Sequence, residues 1–148
     1  MADILRPATI ALSLFVFGSC TSTKAPDPAA QTLVESVAAS HQDIVRLTVH
    51  AVPTGEQDYK AVASTLASKL GQPSDPEDLK AIRTGEVVVL EESGGLDVTV
   101  PIRLQNGRHT AAAGVTIKAG IARDAAIAEA KAIASELERG LTNATMKK

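Results

Sequence analysis

The chain has few residues with which to start chemistry. Histidines stand at 41, 50 and 109, too far apart for the local ligand spacing of a zinc site. A metal would have to be assembled from separated elements, so the three are read as ordinary histidines, with His50 kept as a pocket donor. Ser64 and Ser74 have no GxSxG surround and no base close by in sequence, which argues against a serine nucleophile. Asp75, Glu77 and Asp78 cluster in SDPEDLK. Carboxylates there stabilise a helix N-terminus, and their spacing is not that of a calcium loop. The more informative pattern is alternation. Arg46, Thr48 and His50 share one face of a strand, and Asp97, Thr99 and Arg103 share one face of another. If helices cover only the opposite, apolar face, these six are solvated. If a short helix covers them, they line a ligand pocket in which Arg46 or Arg103 would pair with a carboxylate. The six are the candidate ligand-binding residues. No catalytic or metal-ligating residue is assigned.

The elements that must position them follow from period and punctuation. Residues 29–42 read as a helix with Leu33, Val34 and Val37 on one stripe. IVRLTVHAV, residues 44–52, is a strand whose apolar face carries Val45, Leu47, Val49 and Ala51. PTGEQD at 53–58 is a turn. Residues 59–70 fit a helical stripe through Tyr59, Val62, Leu66 and Leu70, yet YKAVAST also reads as a strand. A short helix then begins after Asp75, with Pro76 at its first position and an overlapping capping box from Ser74 and Glu77. Gly85 stands where it would end. VVVLEE, residues 87–92, and LDVTVPIRL, residues 96–104, are strands, and Pro101 requires a local edge or bulge in the second. Asn106-Gly107 is a strong hairpin signal leading into a returning strand at 109–120. Its alanines and Gly114 leave room above the sheet. Asp124 caps a last helix with Ile127, Ala130, Ala134 and Leu137 on its stripe, ended by Gly140. Hairpin connections make this an antiparallel α+β arrangement of about five strands, not a βαβ sheet.

Composition narrows the function. The 148 residues suit one domain, 29–148, with 45% apolar but only 2% aromatic residues and a net charge of −2. Few stacking surfaces argue against large flat cofactors, and mixed signs of charge argue against nucleic acid; no cofactor is assigned.

The N-terminus differs in character. ATIALSLFVFG is an apolar run too short for a membrane span, and it ends in FGSC. This resembles the lipobox of bacterial lipoproteins, although Phe17 replaces the usual Leu and Asp3 weakens the basic start. The resemblance implies a signal peptide over 1–19, diacylglyceryl transfer to Cys20 and a tether over 20–28. Cys20 is the one cysteine, and with two or more acyl chains it would hold the protein firmly at a membrane. Thr21 in place of Asp favours the outer membrane, facing the periplasm.

SDPEDLKAIRTGEVV, DVTVPIRLQNGR and AGVTIK together resemble extracytoplasmic sensor domains of the Cache/PAS-like type, over roughly residues 44–120. The resemblance implies a PAS-like sheet with the terminal helices packed on one face and a short helix lying across one face of the sheet, helping to enclose a small-molecule pocket. It also implies a strand at 59–65. No kinase, cyclase or chemotaxis region follows residue 148, so sensing would need a partner. The expectation is a lipid-anchored envelope protein with a non-enzymatic small-ligand-binding or sensory domain. The alternative is an envelope module that docks a protein without a small ligand. An enzyme would return to consideration if two or more of His50, Asp97 and Asp75 converged in a cleft.

Overall fold

Residues 27–105 and 108–145 are described by a computed structural model. Five strands, β1 (Ile44–Ala51), β2 (Lys60–Ser64), β3 (Val88–Glu92), β4 (Gly95–Gln105) and β5 (Arg108–Lys118), form one sheet in the order β2-β1-β5-β4-β3. Every neighbouring pair is antiparallel. Helices α1 (Pro28–Ser40) and α3 (Arg123–Thr145) pack against each other and against one face of the sheet, while the nine-residue α2 (Pro76–Thr84) crosses the other face over β5 and β4. The fold is thus the expected α+β class, with the terminal helices together on one side. The lipobox, Cys20, the tether before Asp27 and the Asn106-Gly107 turn lie outside the described residues. Strands β4 and β5 pair as far as Gln105 with Arg108.

The period-2 pattern of the strands sorts the two faces. Leu47, Val49, Val98, Val100, Ile102, Ala111, Ala113, Val115 and Ile117 point at the helix layer and join Val34, Ile133 and Leu137 in the main core. Fully burying a side chain of this size contributes roughly 1.5–3 kcal/mol. The opposite positions of β5, Ala112, Gly114 and Thr116, are small, and α2 lies over that strand. Buried Ala61, Ala81, Ile82 and Ala112 lie outside the main core cluster. They are the apolar part of the α2-covered side.

Several local expectations are corrected. Val45 does not join the apolar face; it is 60% exposed, because the β1–β5 register shifts between Ile44 and Arg46. Residues 60–64 are a strand, as the resemblance implied, and only Ala67–Lys69 form a helical (3₁₀) turn. Pairing with β1 wins over the helical stripe because it satisfies the backbone along an apolar segment. Gly140 does not end α3 but sits inside it, where an added Cβ would collide with Leu33 of α1. Its missing side chain sets the close approach of the two helices. Pro101 is accommodated because β3 pairs β4 only as far as Thr99, so β4 is an edge at that point.

Candidate functional site

The site lies where α2 covers the polar side of β5 and β4, with His50 of the neighbouring β1 reaching Asp78 of the helix. Asp27-Pro28 starts α1, and Asp75-Pro76 starts α2 by the same logic. Here the capping box joins Asp75 to Asp78: the Asp75 N–H donates to Asp78 Oδ2 at 2.9 Å. The expected Ser74–Glu77 box does not form. Ser74 is instead drawn to the sheet, its N–H donating to the Tyr59 carbonyl at 3.0 Å and its hydroxyl lying 3.0 Å from His50 Nδ1. Gly85 ends the helix in a left-handed conformation, φ 73°.

Beneath α2 the polar side chains are buried: Thr48, His50, Asp97, Thr99 and Thr116 are each less than a tenth exposed. Thr48, His50, Asp97 and Thr116 each have a polar partner, as burial requires. Thr116 Oγ1 donates to Asp97 Oδ1 at 2.8 Å, and Thr48 Oγ1 lies 2.8 Å from Ser64 Oγ. Arg46 Nη2 stands 3.5 Å from Asp97 Oδ1 and 3.6 Å from Glu92 Oε2. His50 Nδ1 also lies 3.3 Å from Asp78 Oδ2. Both Ser74 and Asp78 therefore converge on one ring nitrogen, whereas a Ser-His-Asp relay uses the two nitrogens separately. Burial pushes the His50 imidazole down to about 4, outweighing the attraction of Asp75 and Asp97. Burial likewise pushes the Asp78 carboxyl up to about 6, against the hydrogen bond from the Asp75 backbone.

Between these groups is a cavity of about 20 Å³, room for roughly one water molecule. Four carboxylates (Asp75, Glu77, Asp78 and Asp97) line it against two cations, Arg46 and Lys69. Of the six residues expected at a pocket, Arg46, Thr48, His50 and Asp97 line the cavity. Thr99 is buried in the same register. Arg103 is separated from them: it is exposed, and its Nε donates to His109 Nε2 at 3.0 Å. Sequence reasoning missed Asp78, Lys69, Ser74 and Thr116. For Thr116 the signal was present, since it alternates with Gly114 and Ala112 on β5. For Asp78, the capping assignment was right about its backbone role and silent about its burial. His50, Asp75 and Asp97 do converge on one cavity, the arrangement that returns an enzyme to consideration. Among the described residues no group of three or more His, Cys, Asp or Glu is placed to hold a metal ion.

No protein-family model and no curated protein matches the chain. Solved structures match it in fold. The GAF domain of an Acinetobacter phosphoenolpyruvate-protein phosphotransferase superposes with a TM-score of 0.58 at 17% identity, covering 80% of this chain and 84% of that one. A putative GAF sensor protein from Burkholderia vietnamiensis gives 0.57 at 12% identity, covering 85% and 84%. Free methionine-R-sulfoxide reductase from Neisseria meningitidis, solved with its substrate, gives 0.57 at 12% identity, covering 86% and 84%. The architecture is therefore GAF/PAS-like. These neighbours support GAF, a PAS-like fold, and do not bear on the Cache assignment or on the lipoprotein anchor. Two expectations are corrected. A non-enzymatic domain was expected, but the neighbours include free methionine-R-sulfoxide reductases, which are enzymes. At 10–14% identity that likeness carries the fold and not the reaction. An outer-membrane envelope location was expected, but the structures matched are GAF domains such as those of a phosphoenolpyruvate-protein phosphotransferase and of a GAF domain/HD domain protein, and they lend that location no support. Among the described residues no helix is long and apolar enough to cross a membrane.

Proposed function

We propose that this GAF/PAS-like domain is a sensory module that binds a small polar ligand of mixed charge beneath α2. One observation carries the reading: a cluster of polar side chains, the buried Thr48, His50 and Asp97 with the partly exposed Arg46 at its edge, lines a cavity beside α2 on the sheet face opposite the main core. Packing that surface with apolar residues would be simpler and often no less stable. Arg46 suits a ligand carboxylate, and Asp97 with Asp75 suits an ammonium group, so an amino-acid-sized zwitterion matches both signs of the lining. At about 20 Å³ the cavity is too small for such a ligand, so α2 must lift. A nine-residue helix is marginal on its own and is held here by its capping box and by Ala81 and Ile82. Its closed and open positions supply the two states a sensor needs.

The convergence of His50, Asp75 and Asp97 favours a second reading, an enzyme acting on the same small ligand. Asp78, pushed up to about 6, is the group best tuned for proton transfer near neutral pH. Native mass spectrometry and thermal shift on the intact chain, with a panel of free amino acids and their carboxylate and amine analogues, test the binding. A zwitterion should raise the melting temperature, and Arg46→Ala and Asp97→Asn should each abolish the rise. A panel without any shift, together with an apo mass, overturns the proposal. Turnover of the retained ligand would select the second reading.

A further inference from the structure

The far end of α2 carries a second and different concavity. An open cleft of about 370 Å³ is lined by Tyr59, Ile82, Arg83, Arg108 and His109. Its size falls within the usual range for small-molecule pockets, unlike the cavity beneath α2. We propose that this cleft binds a small organic phosphomonoester, its phosphate held by Arg83 and Arg108 and its organic part resting on Ile82 and Tyr59.

The charges argue for an anion. Arg83 comes from the last turn of α2 and Arg108 from the start of β5, so two elements far apart in sequence bring guanidinium groups to one concavity. No carboxylate lines it, and among the described residues neither arginine has a carboxylate within ion-pair distance. The chain does not lack acids: elsewhere Arg46 and Arg123 are both paired with them. Two like charges facing one space repel, and an anion is what relieves that repulsion. Guanidinium pairs also match the geometry of phosphate oxygens.

His109 adds a ring N–H donor. Its Nε2 accepts from Arg103 Nε at 3.0 Å, which places the ring proton on Nδ1. The ring is held in position because it packs directly over Gly85, where any Cβ would overlap it. Arg103 thereby stands behind the cleft as a positioning residue. Tyr59 offers a hydroxyl and a flat face, and Ile82, only 6% exposed, is a fixed apolar contact.

The chain contains one Tyr and no Trp, so near-ultraviolet-excited emission reports on the cleft itself. The experiment titrates the full chain with butyl phosphate, inorganic phosphate and butylammonium while following Tyr59 fluorescence. Butyl phosphate should change the emission saturably and bind more tightly than inorganic phosphate, and butylammonium should do nothing. The Arg83→Ala/Arg108→Ala double variant should bind roughly 10-fold more weakly or worse. Both side chains are exposed, and far-UV circular dichroism checks that the fold is kept. The single variants Arg83→Gln and Arg108→Gln, closer in size to the native residues, should each weaken binding. Arg46→Ala, in the other cavity, should leave the affinity unchanged. Absence of any saturable change, equal affinity in the double variant, or loss of binding only in Arg46→Ala would each overturn the proposal. The last result would place the anion beneath α2 instead. The cleft and the α2-covered cavity are separate, so either can fail without the other.

Discussion

His50 and Asp78 are predicted to cancel each other's effect on stability between about pH 4 and 6. The histidine is held neutral in the fold down to about 4, against 6.5 in an exposed setting. Between those values the unfolded chain takes up the proton and the native state does not, so His50 withdraws stability as pH falls. At about 1.4 kcal/mol per pH unit the full effect is about 3 kcal/mol. Asp78 has the opposite sign. Its folded carboxyl takes up a proton below about 6, against 3.8 when exposed, so it adds stability as pH falls through that window, again by about 3 kcal/mol. The pair should therefore be nearly flat. Single substitutions unmask each partner: Asp78→Asn keeps an acceptor for the Asp75 N–H, and His50→Asn keeps an amide nitrogen near the position of Nδ1. Urea unfolding followed by circular dichroism, from pH 4 to 7.5, reads the slopes. Relative to the parent, Asp78→Asn should lose about 3 kcal/mol between pH 6.5 and 4, and His50→Asn should gain about 3 kcal/mol as pH falls from 6 to 4. If both variants track the parent to within about 0.5 kcal/mol, a small surface-like effect, burial beneath α2 does not control these ionisations and the reasoning fails.

Two further outcomes are expected. His41 caps α1 and lies between two glutamates of α3, with Nδ1 2.6 Å from Glu129 and Nε2 3.3 Å from Glu136. Burial lowers its pKa, but the two carboxylates outweigh burial and raise it. The stability it supplies is fully present below 6.5 and is lost as pH rises through the raised value. The melting temperature should fall over that range, and His41→Gln should remove the dependence. Gly114 lies on β5 with space above it: an added Cβ would make ordinary contacts with His50 Nε2 at 3.8 Å and Asp78 Oδ1 at 3.9 Å. Gly114→Ala should raise stability by about 0.4–1 kcal/mol in chemical denaturation, and by partly filling the cavity it should weaken zwitterion binding in the thermal-shift assay.

Local signals were sufficient for most elements of this protein, β2 excepted. The alternation in LDVTVPIRL placed Asp97 and Thr99 on the face opposite Val98 and Val100, and Asp75-Pro76 with Gly85 marked both ends of α2. These features depend on residues within a turn or two of one another, where period, capping and glycine conformation act directly. Other outcomes needed partners far along the chain. Val45 is expelled by a register shift against β5. Residues 60–64 become a strand because β1 supplies their hydrogen bonds. Gly140 lies inside α3, where Leu33 of α1 packs into the space its missing side chain leaves. Above all, α2 could have left the polar face in water or sealed it. Only packing over β5 and β4 decided that Asp78 would cap a helix and also be buried against His50. Strand register set Arg103 apart from Arg46: Arg46 lies level with Thr116 and Asp97, whereas Arg103 lies level with His109 further along β4. A carboxylate's charge state and an arginine's neighbours are set by what covers them, and what covers them here comes from elements that are not adjacent in the sequence.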